Sequence, residues 1–203
     1  CSGLTLFFAT TAFLLSDPKA DFTKKSIRPN DKIYLSKIST KNRVDGAFKS
    51  ALKFRHTDSN ISSKAFYGQE ISIRNNPLVD KILIGVTSNL ISRIEIWKQD
   101  ELVQIKELGF VSKMTWGETQ TMVVDFYDST NERYNGNSKI SMRFYNGTGF
   151  FGDIGTINTD LTEFGDLSGD KSIEVFSKSL DSDSISEADF SDLEIWRNYK
   201  SFD

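Results

Sequence analysis

Cysteine is almost missing from this chain: Cys1 is the only one in 203 residues. No intramolecular disulfide can form, and zinc sites built on Cys-x-x-Cys pairs are excluded. Histidine is equally scarce. His56 stands alone, which removes His-rich metal sites and leaves one candidate for the base that usually activates a Ser or Cys nucleophile. With three prolines there is no Pro-rich linker. The apolar run Leu4–Leu15 is too short to cross a membrane, reaching about 18 Å as a helix against a hydrocarbon core of about 30 Å. A phosphate-cradling loop is missing as well. "NGTGFFGDIG" (146–155) lacks the Lys-Ser/Thr of a P-loop, and reads as a Gly-rich hairpin or lip carrying Phe150 and Phe151.

What is present suits a chain that buries a core. Hydrophobic residues make up 38%, charged residues 26%, and sixteen phenylalanines lead the aromatic content. Net charge is −3 but unevenly spread. Residues 1–58 hold eleven Lys/Arg against five Asp, residues 59–152 hold ten of each sign, and residues 153–203 hold four against thirteen. The acidic end is too rich in apolar residues for a solvated tail, with Phe164, Ile173, Val175, Phe176, Phe190, Ile195 and Trp196 among them. It is expected to dock on the basic first third, its carboxylates facing Lys and Arg of residues 19–55. The basic residues are too scattered for a nucleic-acid surface.

Most of the chain reads as strand. "KIYLSKIS" (32–39) and "QEISIRN" (69–75) alternate, and "VDKILIGVTSNLI" (79–91) is rich in Ile, Val and Leu. "SRIEIWKQDELVQIKELGFV" (92–111) reads as a hairpin with its turn near Gln99–Glu101, Ile94 and Ile96 on one face and Glu95 and Trp97 on the other. "TMVVDFYD" (121–128), "KISMRFYN" (139–146) and "KSIEVFSKSL" (171–180) are further strands, separated by Gly- and Asn-bearing turns. The expected fold is mainly β, an antiparallel sandwich or barrel, with one amphipathic helix near residues 43–56. There Val44, Ala47, Phe48, Ala51 and Leu52 make a helical stripe, and His56 sits at the basic end. An α+β layered domain is the alternative. Residues 16–31 read as loop. In the domain layout, residues 1–31 form an anchor with an N-terminal strand or loop, and residues 32–203 form one β-rich domain ending in the acidic segment.

"SISEADFSDLEIWRNY" (184–199) supports two assignments. Ser184 and Glu187 make a capping box ahead of a helix, whereas "DLEIWR" (192–197) echoes the strand "RIEIWK" (93–98). "DSDSISEADFSD" (181–192) does not fit a calcium loop, because Ile185 occupies a ligand position and Asp192 stands where Glu is needed. No catalytic, cofactor or metal residue is assigned.

"Cys1-Ser2-Gly3" resembles the start of mature bacterial lipoproteins, whose precursors are cut just before a cysteine that then takes a diacylglyceryl group. Small polar residues commonly follow that cysteine in the class. The resemblance implies lipidation at Cys1 and an outer-membrane location, with surface or periplasmic orientation open. Because the chain turns apolar at Leu4, Leu4–Leu15 is expected to be a core strand near the membrane rather than a polar tether. The expected function is that of a lipid-anchored envelope protein, a structural component or a binder of a protein or glycan ligand. One alternative is an envelope hydrolase working with carboxylates on a β-sandwich. The other is a secreted β-sandwich domain with a residual signal peptide.

Overall fold

The computed structural model describes residues 22–26, 35–44, 46–56, 65–111, 117–127, 138–146, 153–180 and 187–197. Twelve strands lie among them: β1 (Phe22–Ser26), β2 (Leu35–Val44), β3 (Phe48–His56), β4 (Ala65–Ile73), β5 (Lys81–Thr87), β6 (Ile91–Lys98), β7 (Glu101–Phe110), β8 (Thr119–Tyr127), β9 (Lys139–Asn146), β10 (Asp153–Asp160), β11 (Lys171–Ser179) and β12 (Glu187–Arg197). They form two six-stranded antiparallel sheets, ordered β1-β12-β3-β8-β9-β10 and β2-β11-β4-β5-β6-β7. The only helical element among the described residues is a single 3-10 turn, Thr162–Phe164.

The core lies between the sheets. Because side chains alternate along a strand, each strand sends every second residue inward. Phe48, Leu52 and Phe54 of β3 meet Tyr67 and Ile71 of β4, Ile82 and Ile84 of β5, and Ile94 and Ile96 of β6. Phe48 stacks on Phe126 with centroids 5.3 Å apart. One polar pair is buried with them, the Ser50 hydroxyl donating to Gln69 Oε1.

The helix expected at 43–56 is not there. β2 ends at Val44, the chain crosses from one sheet to the other through Gly46 at φ 75°, and β3 begins at Phe48. A residue with a Cβ is strained at that φ. Lys171, fully buried, holds the crossing by donating from Nζ to the carbonyls of Gly46 (3.1 Å) and Gly169 (2.8 Å). Phe48 and Leu52 are four apart, a spacing that places them on one face of a helix and of a strand alike. Ala51 decides between the two, since it lies on the helical stripe yet packs with Val123 and Tyr145 on the opposite face of the sheet from Phe48 and Leu52. Between β12 and β8, β3 has ladder partners on both sides, and that context outweighs helix propensity. With no α-helix among the described residues, the α+β layered alternative falls too.

One smaller correction follows, and one open choice is decided. Phe22–Ser26, read as loop, is an edge strand paired with β12. In the "SISEADFSDLEIWRNY" segment, residues 187–197 are strand, not a capped helix. The expected hairpin is present, its turn made by Gln99 (φ 49°) and Asp100 (φ 62°), both in the left-handed region that a two-residue hairpin turn of this hand requires. The Gln99 N–H and Lys98 Nζ both donate to Asp80 and hold that carboxyl below the usual carboxylate range.

The acidic end docks as its composition suggests. β10 and β12 enter one sheet and β11 the other. Ile173, Val175, Phe190 and Ile195 are in the core, and Asp192 pairs with Lys53 at 2.7 Å while Asp189 pairs with Arg55, but Asp170 and Glu163 pair with Arg74 and Lys106, outside the basic first third.

Candidate functional site

Alternation along the strands also gives each sheet an outer face, turned away from the core. Both faces carry a tryptophan, lysine at its ring, an arginine and a nearly buried carboxylate, and both tryptophans come from the echoed sequences "RIEIWK" and "DLEIWR".

On the β11-β4-β5-β6 face two carboxylates are buried: Glu70, whose Oε1 accepts from the Ser72 hydroxyl, and Glu95. Arg93 donates to Glu95 Oε1 from Nε (3.0 Å) and Nη2 (2.7 Å). Glu95 Oε2 accepts from Trp97 Nε1 (3.1 Å) and Lys178 Nζ (2.6 Å). Four donors fill a carboxylate's capacity. The Trp97 ring has Lys178 Nζ at 4.6 Å and Lys81 Nζ at 5.2 Å from its centroid. Arg93 lies over Phe66, which packs edge-on against Phe176. The backbones of β4 and β5 approach closely on this face at a facing glycine pair, Gly68 and Gly85. A Cβ on Gly68 would sit 2.1 Å from the Ile84 carbonyl oxygen, and one on Gly85 would sit 2.0 Å from that of Tyr67.

On the β12-β3-β8-β9 face the carboxylate is Asp125, whose side chain is 3% exposed. Arg143 Nη2 donates to its Oδ2. Its Oδ1 is buried and has no hydrogen-bond partner among the described residues. Lys49, in register with Asp125 on one side and Trp196 on the other, has its Nζ 5.8 Å from the Trp196 ring centroid. Burial pulls the Lys49 ammonium below the usual lysine range, with Asp125 opposing that shift and Arg143 adding to it. Trp196 is half-buried against Ala51, Val123 and Tyr145. Here an aromatic ring, a cation and an acceptor oxygen with spare capacity share one surface.

The residues singled out from sequence fall elsewhere. Cys1, Leu4–Leu15, Phe150, Phe151 and residues 181–186 lie outside the described residues. His56 is the last residue of β3, paired with Ala188, rather than a helix terminus. Among the described residues no cluster of His, Cys, Asp and Glu is arranged to hold a metal ion. Sequence reading missed Asp125, Arg143 and Trp196 as a group. Three different strands bring them together, and the one available signal was the repeated Glu-Ile-Trp.

No protein-family model matches this chain, and no curated protein is significantly similar to it. Among solved structures, it is similar to the lectin UEA-II complexed with galactose, with TM-score 0.52 and 8% identity over 90% of this chain and 85% of that one. It is also similar to the carbohydrate-binding module CBM66 from Bacillus subtilis, with TM-score 0.50 and 7% identity over 90% of this chain and 97% of that one. At such identities the likeness is one of fold, a lectin-like sandwich of two antiparallel sheets.

Proposed function

We propose that this chain is a binding protein that recognises a glycan on the outer face of the β12-β3-β8-β9 sheet. A sugar offers an apolar ring face and a rim of hydroxyls. The Trp196 ring suits the first, and Asp125 with Arg143 suits the second. The observation that carries the reading is one row across three strands of the face, Trp196, Lys49 and Asp125, in which Trp196 and Lys49 are half-buried and the Asp125 carboxylate, paired with Arg143, keeps a buried oxygen with no partner among the described residues. Leaving such an oxygen unpaired costs about 1–3 kcal/mol; it is shielded from solvent, so a ligand hydroxyl would recover that cost only once a side-chain shift uncovers it. The ligand class comes from the two similar structures, a galactose complex and a carbohydrate-binding module; the residues come from this chain alone.

The test is a glycan microarray followed by calorimetric titration of the best binders. The reading expects saturable binding that falls at least tenfold in Asp125→Asn. A protein that binds no glycan, or an Asp125→Asn variant that binds as well as the parent, would overturn it.

Lipid anchoring to the outer membrane belongs to the same proposal and rests on the resemblance at Cys1-Ser2-Gly3 alone. Expressed in a bacterium behind a lipoprotein leader, the protein should partition into detergent and the Cys1→Ser variant into water. Equal partitioning of the two would remove the anchor.

A further inference from the structure

Five large apolar side chains are exposed among the described residues, and four of them are on β7: Leu102 (42%), Val103 (51%), Ile105 (43%) and Phe110 (63%). β7 is the last strand of its sheet, and no described strand pairs with its other side. Edge strands of monomeric proteins are usually kept short or guarded by charge or proline. β7 is ten residues long, contains no proline, and spends its central charges on its own chain. Lys106 Nζ reaches Glu163 (2.7 Å) and the Asp160 carbonyl (2.9 Å), and Glu107 takes Arg93 Nη1 at 3.3 Å. Ile105, next to them in sequence, is left exposed.

We infer that β7 pairs antiparallel with β7 of a second copy of this chain, with Ile105 on the two-fold axis. The register with β6 is regular from Gln104 to Glu107 and shifts on either side, so that run is the straight part of the edge. Side chains that oppose each other across an antiparallel pair share a face, so a two-fold axis normal to the sheet passes through a residue. An axis at Lys106 opposes two lysines, one at Glu107 opposes two glutamates, and one at Gln104 sets Glu101 against Glu107. The axis at Ile105 sets isoleucine against isoleucine and Gln104 against Lys106, with no like charges opposed. Like charges directly opposite destabilise a pair, whereas apolar ones stabilise it. The same patch on both copies closes the assembly as a dimer.

Sedimentation across the micromolar range tests this with a charge swap. The parent should dimerise. Ile105→Lys and Ile105→Glu should each dimerise at least tenfold more weakly, with unchanged circular dichroism and, at concentrations where the parent is monomeric, unchanged melting, because Ile105 is exposed in the protomer. An equimolar mixture of the two variants should dimerise again, since the axis brings the two side chains together. A parent that stays monomeric, single variants that dimerise as tightly as the parent, or a mixture no more dimeric than its components would each overturn the inference.

Discussion

The two outer faces use nearly the same residues to opposite effect. In "RIEIWK" the inward residues are Ile94 and Ile96 and the outward ones Glu95 and Trp97; in "DLEIWR" they are Leu193 and Ile195, then Glu194 and Trp196. On the β6 face the strand's own Glu95 is saturated by Arg93, Trp97 and Lys178, and lysines at 4.6 and 5.2 Å sit at the Trp97 ring. On the β12 face the buried carboxylate is Asp125 from β8, bound by Arg143 through one oxygen only. Composition alone does not make a binding surface. What separates Glu95 from Asp125 is whether the carboxylate's acceptor capacity is used up within the chain.

If Glu95 closes its face, Glu95→Ala leaves Lys178 partly buried without its counter-charge and Arg93 with Glu107 alone. It should destabilise by about 3–5 kcal/mol in urea denaturation, with glycan affinity unchanged in the fraction that stays folded. A loss under about 1 kcal/mol would show the cluster to be a surface ornament with the worth of an exposed ion pair. Gly85→Ala attacks the same face from below by forcing a Cβ against the Tyr67 carbonyl. Overpacking of this kind costs about 1–3 kcal/mol, and a neutral substitution would mean that β4 and β5 separate easily.

On the open face Asp125→Asn should cost less, about 1–2 kcal/mol, because one charge-assisted hydrogen bond is weakened rather than a whole cluster broken. A loss as large as that of Glu95→Ala would put the two faces on the same footing. The smallest effect lies outside both faces. Asp80 has its pKa depressed by Lys98 and the Gln99 N–H, so its contribution is fully present above about pH 4 and is lost as pH falls through the lower folded-state value. The parent and Asp80→Asn should differ slightly in melting temperature at about pH 7 and converge at about pH 2. A difference that persists in acid would assign the effect to the turn's shape rather than to the charge.

The strands were largely legible in sequence because alternation is local. "KISMRFYN" coincides with β9, and the 92–111 hairpin turns where its sequence suggests. Residues 43–56 misled because a four-residue spacing serves helix and strand equally. The docking of the acidic end was visible as a charge imbalance, since Asp189 and Asp192 needed basic partners and found Arg55 and Lys53, more than 130 residues away in sequence. The candidate site was not legible. Asp125, Arg143, Lys49 and Trp196 sit on four strands whose order in the sheet no local pattern reveals, and a carboxylate's spare oxygen has no sequence signature at all.

The account rests on Trp196 and Trp97 having different jobs, and one paired titration tests that directly. With the glycan that binds the parent best, calorimetry is run on Trp196→Ala and Trp97→Ala side by side. The account predicts that Trp196→Ala loses at least tenfold in affinity while melting close to the parent. It also predicts that Trp97→Ala melts lower and keeps its affinity. Equal losses of affinity in the two variants, or a loss confined to Trp97→Ala, would contradict the assignment of the open face.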